Sequence, residues 1–223
     1  AYEVEEVDVA INIDAYDDTH SKYSFIGVPS INDTNGNIIS TVAEALGYSS
    51  SDYNAEFILY DYNRSTNTFD VLSDDNESYE FRKGLFLASR KSADISTTIS
   101  GLDSGITTTY IVKESGWVNI SNPFNVDYDL SNLTISSEAV GSGYFYSSEE
   151  GGYTTKTVAQ AGEGFWIYIS GESWITFNSP DTVNTKPLRV RSKEESSGPP
   201  TPGNLFKSTG STSGGGGGGC LLK

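Results

Sequence analysis

His20 is the only histidine of this chain, and Asp17 and Asp18 lie just before it. An imidazole beside a carboxylate is the core of a general base, and with a serine it makes an acyl-transfer triad. The strained Gly-x-Ser-x-Gly turn that presents such a serine is absent from the sequence. A histidine set among aspartates then reads as a solvated loop residue. Carboxylates also gather at Asp14, at Asp74-Asp75-Asn76-Glu77, and at Asp127 and Asp129. Such loops suit Ca²⁺, which takes several oxygen ligands at about 2.3–2.6 Å. Asp33-Thr34-Asn35-Gly36-Asn37 has the outline of a calcium loop, but its glycine comes too early and no glutamate closes it. It reads as an Asn-Gly turn. Ca²⁺ is therefore the one ion considered, with no ligand assigned. A glycosidase needs two carboxylates at a set separation across a cleft, and among 30 acidic residues no pair stands out. The single Cys220 cannot close a disulfide within the chain, so its expected use is a crosslink between chains or an anchor. No catalytic residue and no cofactor is assigned, and the chain reads as a non-enzyme.

Charge narrows the partners. A net charge of −16 with a single histidine disfavours nucleic acid and anionic membranes, which require clustered Lys and Arg. No segment approaches the roughly 20 apolar residues of a transmembrane helix. The chain opens on Ala1 and contains no methionine. A small first residue suits removal of a signal peptide, so the expected location is extracellular or at a bacterial cell surface.

The elements that would position any site are strands. Val7, Val9, Ile11 and Ile13 alternate with Asp8, Asn12 and Asp14, the pattern of a half-buried strand. Short runs rich in β-branched and aromatic residues follow at 23–28, 56–62, 68–72, 84–89, 107–113, 116–120, 143–147, 153–158, 165–169 and 173–177. One helix is expected over Thr41–Gly47, where Val42, Ala45 and Leu46 share a face and Gly47 is a stop. Asp129–Leu133 is expected to form a short helical turn. The fold class is all-β: two related antiparallel units of sandwich or barrel-like form, with one or two short helices.

Relatedness is read from spacing. Tyr23, Ile26 and Pro29 recur as Trp117, Ile120 and Pro123 at a constant offset of 94. Gly84, Phe86 and Ile95 recur as Gly164, Trp166 and Ile175 at an offset of 80. Two fixed offsets separated by a variable stretch are the trace of a duplicated unit. Tyr23, Phe86, Trp117 and Trp166 are its expected core anchors. The expected divisions are an N-terminal strand over 1–18, a first unit over 19–100, a second over 101–186 and a Pro/Ser/Gly-rich tail over 187–223.

The segments Trp117-Val118-Asn119-Ile120-Ser121-Asn122-Pro123 and Gly162-Glu163-Gly164-Phe165-Trp166-Ile167-Tyr168 resemble a β-domain of bacterial extracellular proteins. In that domain, strands like GWNLIGNP and PGxGYW bracket a variable middle. Residues 116–177 carry the resemblance, and residues 22–95 carry a weaker copy. It implies a secreted or surface location and a scaffold or adhesive role, and it brings no catalytic residues. Ser213 to Lys223 also resembles the Gly-rich, Cys-containing sorting tails of exported bacterial proteins.

Function is then expected at the ends. Val7, Val9, Ile11 and Ile13 are candidates for a strand that pairs between subunits. The expectation is self-association into a filament or surface layer, with contacts from residues 1–14 or 187–223. The alternative is a monomeric adhesion or carbohydrate-binding module, meeting a glycan or another surface protein through Tyr144, Tyr146 and Tyr153.

Overall fold

The computed structural model describes residues 4–13, 15–16, 23–27, 38–72, 83–182, 185–191, 195 and 198–202. These form an all-β fold. The elements of the first half are β1 (Val4–Ile13), β2 (Ser24–Gly27), α1 (Ile38–Leu46), a 3₁₀ turn (Ser50–Asp52), β3 (Phe57–Asn63), β4 (Thr68–Val71), β5 (Gly84–Ser89) and β6 (Ala93–Leu102). The second half contains β7 (Thr108–Val112), β8 (Gly116–Ser121), β9 (Tyr128–Asp129), β10 (Leu133–Ile135) and β11 (Glu138–Ala139). It continues with β12 (Gly143–Ser147), β13 (Gly152–Lys156), β14 (Val158–Ala159), β15 (Gly164–Ile169) and β16 (Ser173–Phe177).

Two four-stranded antiparallel sheets have the same order, β2-β5-β3-β4 and β8-β15-β12-β13. Their registers agree residue by residue. Ser24, Phe25, Ile26 and Gly27 pair with Leu87, Phe86, Leu85 and Gly84. Val118, Asn119, Ile120 and Ser121 pair with Ile167, Trp166, Phe165 and Gly164. The offsets of 94 and 80 carry each pair onto its counterpart, so the repeat is one of topology as well as sequence.

The inner strands β5 and β15 are buried on both faces, which explains why Gly-Leu-Phe-Leu-Ala and Gly-Phe-Trp-Ile-Tyr-Ile run apolar without alternation. In β5, Leu85 and Leu87 face one way, against Ile13, Ile39, Val42, Leu46, Phe57 and Leu59. Phe86 and Ala88 face the other way, into a layer shared with Trp117 and Trp166. In β15, Trp166 enters that same layer, while Phe165, Ile167 and Ile169 join a third core under β7-β16-β10-β11. Helix α1 closes the outer face of the first sheet with Ile39, Val42, Ala43 and Leu46. Its end is a Schellman cap: Tyr48 N–H donates to Ala43 O (2.8 Å), Gly47 N–H donates to Glu44 O (2.9 Å), and Gly47 has φ +65°.

Two expectations need correction. Residues 93–102 form one continuous strand, so a boundary at 100 falls inside β6. The run Ile95-Ser96-Thr97-Thr98-Ile99-Ser100 carries no large aromatic, and its serines read as a loop. Asp129–Leu133 is a turn between β9 and β10 rather than a helical element, closed by Asn132 N–H to Asp129 O (2.9 Å).

Glycine is required where the sheets cross. A Cβ on Gly84 would stand 3.1 Å from Ile120 O, and one on Gly164 would stand 3.1 Å from Ile26 O, the equivalent contact. A Cβ on Gly27 would overlap Ser121 Cβ and lie 2.9 Å from Gly162 O, and neither backbone can yield cheaply. Gly27→Ala is therefore expected to destabilise the chain by about 1–3 kcal/mol in urea unfolding. Gly152→Ala, whose nearest neighbour is 3.9 Å away, is expected to change it by under about 0.5 kcal/mol. Equal midpoints for the two variants would refute the crossing-point role.

Candidate functional site

The N-terminal strand candidates lie in a ribbon of the chain's own making. β1 pairs antiparallel with β6 over ten residues, placing Val7 opposite Ile99, Val9 opposite Thr97, Ile11 opposite Ile95 and Ile13 opposite Ala93. Ile13 is buried in the first core. The ribbon is the first unit's counterpart of β7·β16, since the offset of 80 takes Ile95 to Ile175. There the likeness stops. β16 is paired on its far side by β10. Among the described residues, β6 has β1 as its only strand partner.

Which backbone groups face out follows from the ladder. Leu102 spends both its groups away from β1: its N–H donates to Pro123 O (2.8 Å) and its carbonyl accepts from Asn125 N–H (3.2 Å). Alternate residues of an antiparallel strand point the same way. Ser100, Thr98, Ser96 and Asp94 therefore turn their N–H and C=O groups to the far edge. Pro123 and Asn125 hydrogen-bond this edge at Leu102, and helix α1 lies against β6.

A second sheet margin is β7. Ser136 N–H donates to Trp174 O (2.9 Å), so Trp174 faces β10 and its cross-strand partner Ile111 directs its backbone groups outward, as does Thr109. Ile111 is 46% exposed and Trp174 57% exposed, side by side on the outer face. Beneath this margin lies a cleft of about 780 Å³ lined by Asp61, Arg64, Asp70, Lys83, Tyr110 and Glu114, among others. Lys83 pairs with Asp61, Asn63 Nδ2 donates to Asp70 (2.8 Å), and Arg64 donates to the Glu114 carbonyl. Burial is the main cause that lowers the Arg64 guanidinium below its ordinary value.

The tyrosines expected to face solvent together are engaged instead. Tyr144 packs edge-on against Trp117 (5.1 Å), and Tyr146 packs against Phe86 (5.4 Å) and Tyr153 (5.4 Å). The tail expected to leave the body at 187 lies, over its described residues, against the second unit. Ala139 N–H donates to Pro187 O (2.8 Å), and Arg189 N–H donates to Ala139 O (2.7 Å). Tyr153 donates to Pro200 O (2.6 Å), and Tyr144 to Glu195 O (3.3 Å). Glu195, 2% exposed, pairs with Arg189. Sequence reasoning missed this strap because Pro and Ser signal a linker. Buried Glu195 and its arginine carried no periodic signal.

Tyr23, Phe86, Trp117 and Trp166 are all buried, and they meet in the layer between the two sheets. His20, Cys220, Asp14, Asp17, Asp18, residues 33–37 and residues 74–77 lie outside the described residues. Asp127 and Asp129 are exposed, and Asp129 accepts a hydrogen bond from Ser131 N–H (2.8 Å). Among the described residues no group of three His, Cys, Asp or Glu converges as a metal site, and no helix is long and apolar enough to cross a membrane. Comparison with protein-family models, with curated proteins and with solved structures returned no match to this chain.

Burial, the largest cause, raises the phenols of Tyr60, Tyr128 and Tyr153 well above their ordinary value of 10.0. The folded state thus favours the protonated phenol. The stability this contributes is whole below pH 10.0 and declines as pH rises beyond it. Alkaline titration is expected to show a phenolate absorbance step that coincides with loss of the β-sheet circular dichroism. Smooth ionisation of every tyrosine before the sheets are lost would contradict it.

Proposed function

We propose that this chain is an exported structural subunit that self-assembles into an extracellular filament or surface layer through strand edges. The far edge of β6 carries this reading. It lies where the second unit has β10 and, among the described residues, has no strand of its own. Open edges of monomeric proteins are usually guarded by charge, proline or a bulge. Ile95-Ser96-Thr97-Thr98-Ile99-Ser100 has neither charge nor proline, and its threonines and isoleucines favour extended backbone. A strand added there pairs the outward groups of Ser96, Thr98 and Ser100 by backbone hydrogen bonds. Export is supported by the motif resemblance alone. The glycan-binding alternative is weaker, because Tyr144, Tyr146 and Tyr153 are tied into the aromatic layer and the strap.

Sedimentation velocity over a wide concentration range, with negative-stain imaging, tests the reading. The whole chain is expected to form concentration-dependent polymers. Thr97→Lys, which puts a charge on β6, is expected to remain monomeric, with retained β-sheet circular dichroism as the check that it is folded. A whole chain that stays monomeric at the highest concentrations would sink the proposal.

A further inference from the structure

We infer that the cleft between the two units is a binding site for a short neutral saccharide, held by hydrogen bonds to its hydroxyls. Such a site serves a monomer or a polymer alike, so it does not rest on self-assembly. Its walls come from both units: Asp61, Arg64, Asp70 and Lys83 from the first, and Tyr110, Lys113, Glu114 and Asn119 from the second. At about 780 Å³ it has room for an organic molecule, and its size and place are those of small-ligand sites at junctions between units. Asn119 points to a ligand. It is 5% exposed, and both of its hydrogen bonds are made through Nδ2, to Gly84 O (2.7 Å) and Asp61 Oδ1 (3.5 Å). Among the described residues nothing donates to its Oδ1, and that oxygen is not sealed in protein. A buried amide thus leaves an open acceptor in the lining of the cleft.

The lining selects the class of ligand. Asp61, Asp70 and Glu114 balance Arg64, Lys83 and Lys113, so the cleft has no net charge to attract an anion or a metal cation. An apolar ligand would strip water from these groups and return no hydrogen bond. A zwitterion needs an unpaired cation and an unpaired carboxylate. Asp61 is already paired with Lys83, and Asp70 holds the Asn63 amide at 2.8 Å. Lys113 and Glu114 are exposed, where water screens an ion pair. Hydroxyls suit what remains, because each both donates and accepts, and a carboxylate engaged by one donor keeps lone pairs for others. Asp61, Asp70 and Asn119 Oδ1 can accept from them, and the Lys113 ammonium can donate. Tyr110, partly buried against the second core, offers carbon surface to the C–H groups of a sugar ring.

An array of neutral, sialylated and sulfated glycans, followed by calorimetric titration of those retained into the whole chain, tests the site. At least one neutral saccharide is expected to bind. Asp70→Ala and Lys113→Ala alter exposed side chains of the cleft, and each is expected to weaken binding about tenfold, the loss of one hydrogen bond to a charged group. Glu150→Ala, an exposed acid in the turn between β12 and β13, is expected to bind as the unmodified chain does. Retained β-sheet circular dichroism verifies that each variant is folded. Neutral binding that ignores both cleft substitutions, or falls equally in Glu150→Ala, would overturn the cleft as the site. Binding confined to sialylated or sulfated glycans, or calorimetric binding of glycylglycine in their place, would overturn the neutral hydroxylated class. A chain that retains no glycan from the array would overturn the site altogether, while self-assembly, judged by sedimentation, would stand or fall separately.

Discussion

The structure depends on the aromatic layer between its two equivalent sheets. Phe86 stacks on Phe25 at 4.4 Å, and Trp166 meets Tyr62 edge-on at 5.0 Å. Tyr23, Tyr60 and Tyr146 complete the contacts around them. Aromatic pairs in such geometries contribute about 0.5–1.5 kcal/mol each beyond the area they bury. More important is what the layer does to the sheets on either side. A sheet packed on one face alternates apolar and polar residues. Here the second face is also dry, so the polar positions of β5 and β15 disappear and both strands become fully apolar.

That dryness brings the glycines with it. Where the sheets come closest, backbone meets backbone. Gly27 N–H donates to Gly162 O at 2.7 Å. Asn119 Nδ2 reaches Gly84 O at 2.7 Å, satisfying a carbonyl that would otherwise be buried beside aromatic rings. Gly84 and Gly164 are thus equivalent residues of the two units, each crowded by the Phe25 ring and by the other unit's isoleucine carbonyl. The duplication is held together by a pseudo-twofold contact.

The sequence shows that contact clearly and the periphery poorly, for physical reasons. Constant offsets survive at Tyr23/Trp117, Gly84/Gly164 and Phe86/Trp166 because tight packing on two sides tolerates little drift. The short helix was legible from Val42, Ala45, Leu46 and Gly47, since a capped amphipathic turn is a local property. β6 was not, because Ser, Thr and Ile in alternation lack the aromatic signature of the inner strands. The strap over Tyr144 and Tyr153 was hidden by its prolines, which suit a linker and an extended docked segment equally. Its anchor, Glu195 with Arg189, is a long-range pairing that no local pattern encodes.

The inner strands β5 and β15 are sealed on both faces, whereas the outer strands β4 and β13 remain open to solvent. A net charge of −16 sets copies against one another at long range, and screening confines that repulsion to about 8 Å at physiological ionic strength. Short-range backbone pairing is then decided locally, by whether a strand edge carries charge of its own. β7 carries none and β6 only Asp94 at one end, and the two lie in corresponding ribbons of the two units. The first unit lacks, among its described residues, the strand that β10 supplies in the second. On the proposed self-assembly, this one departure from the repeat is what leaves the first unit's ribbon an edge for a second copy.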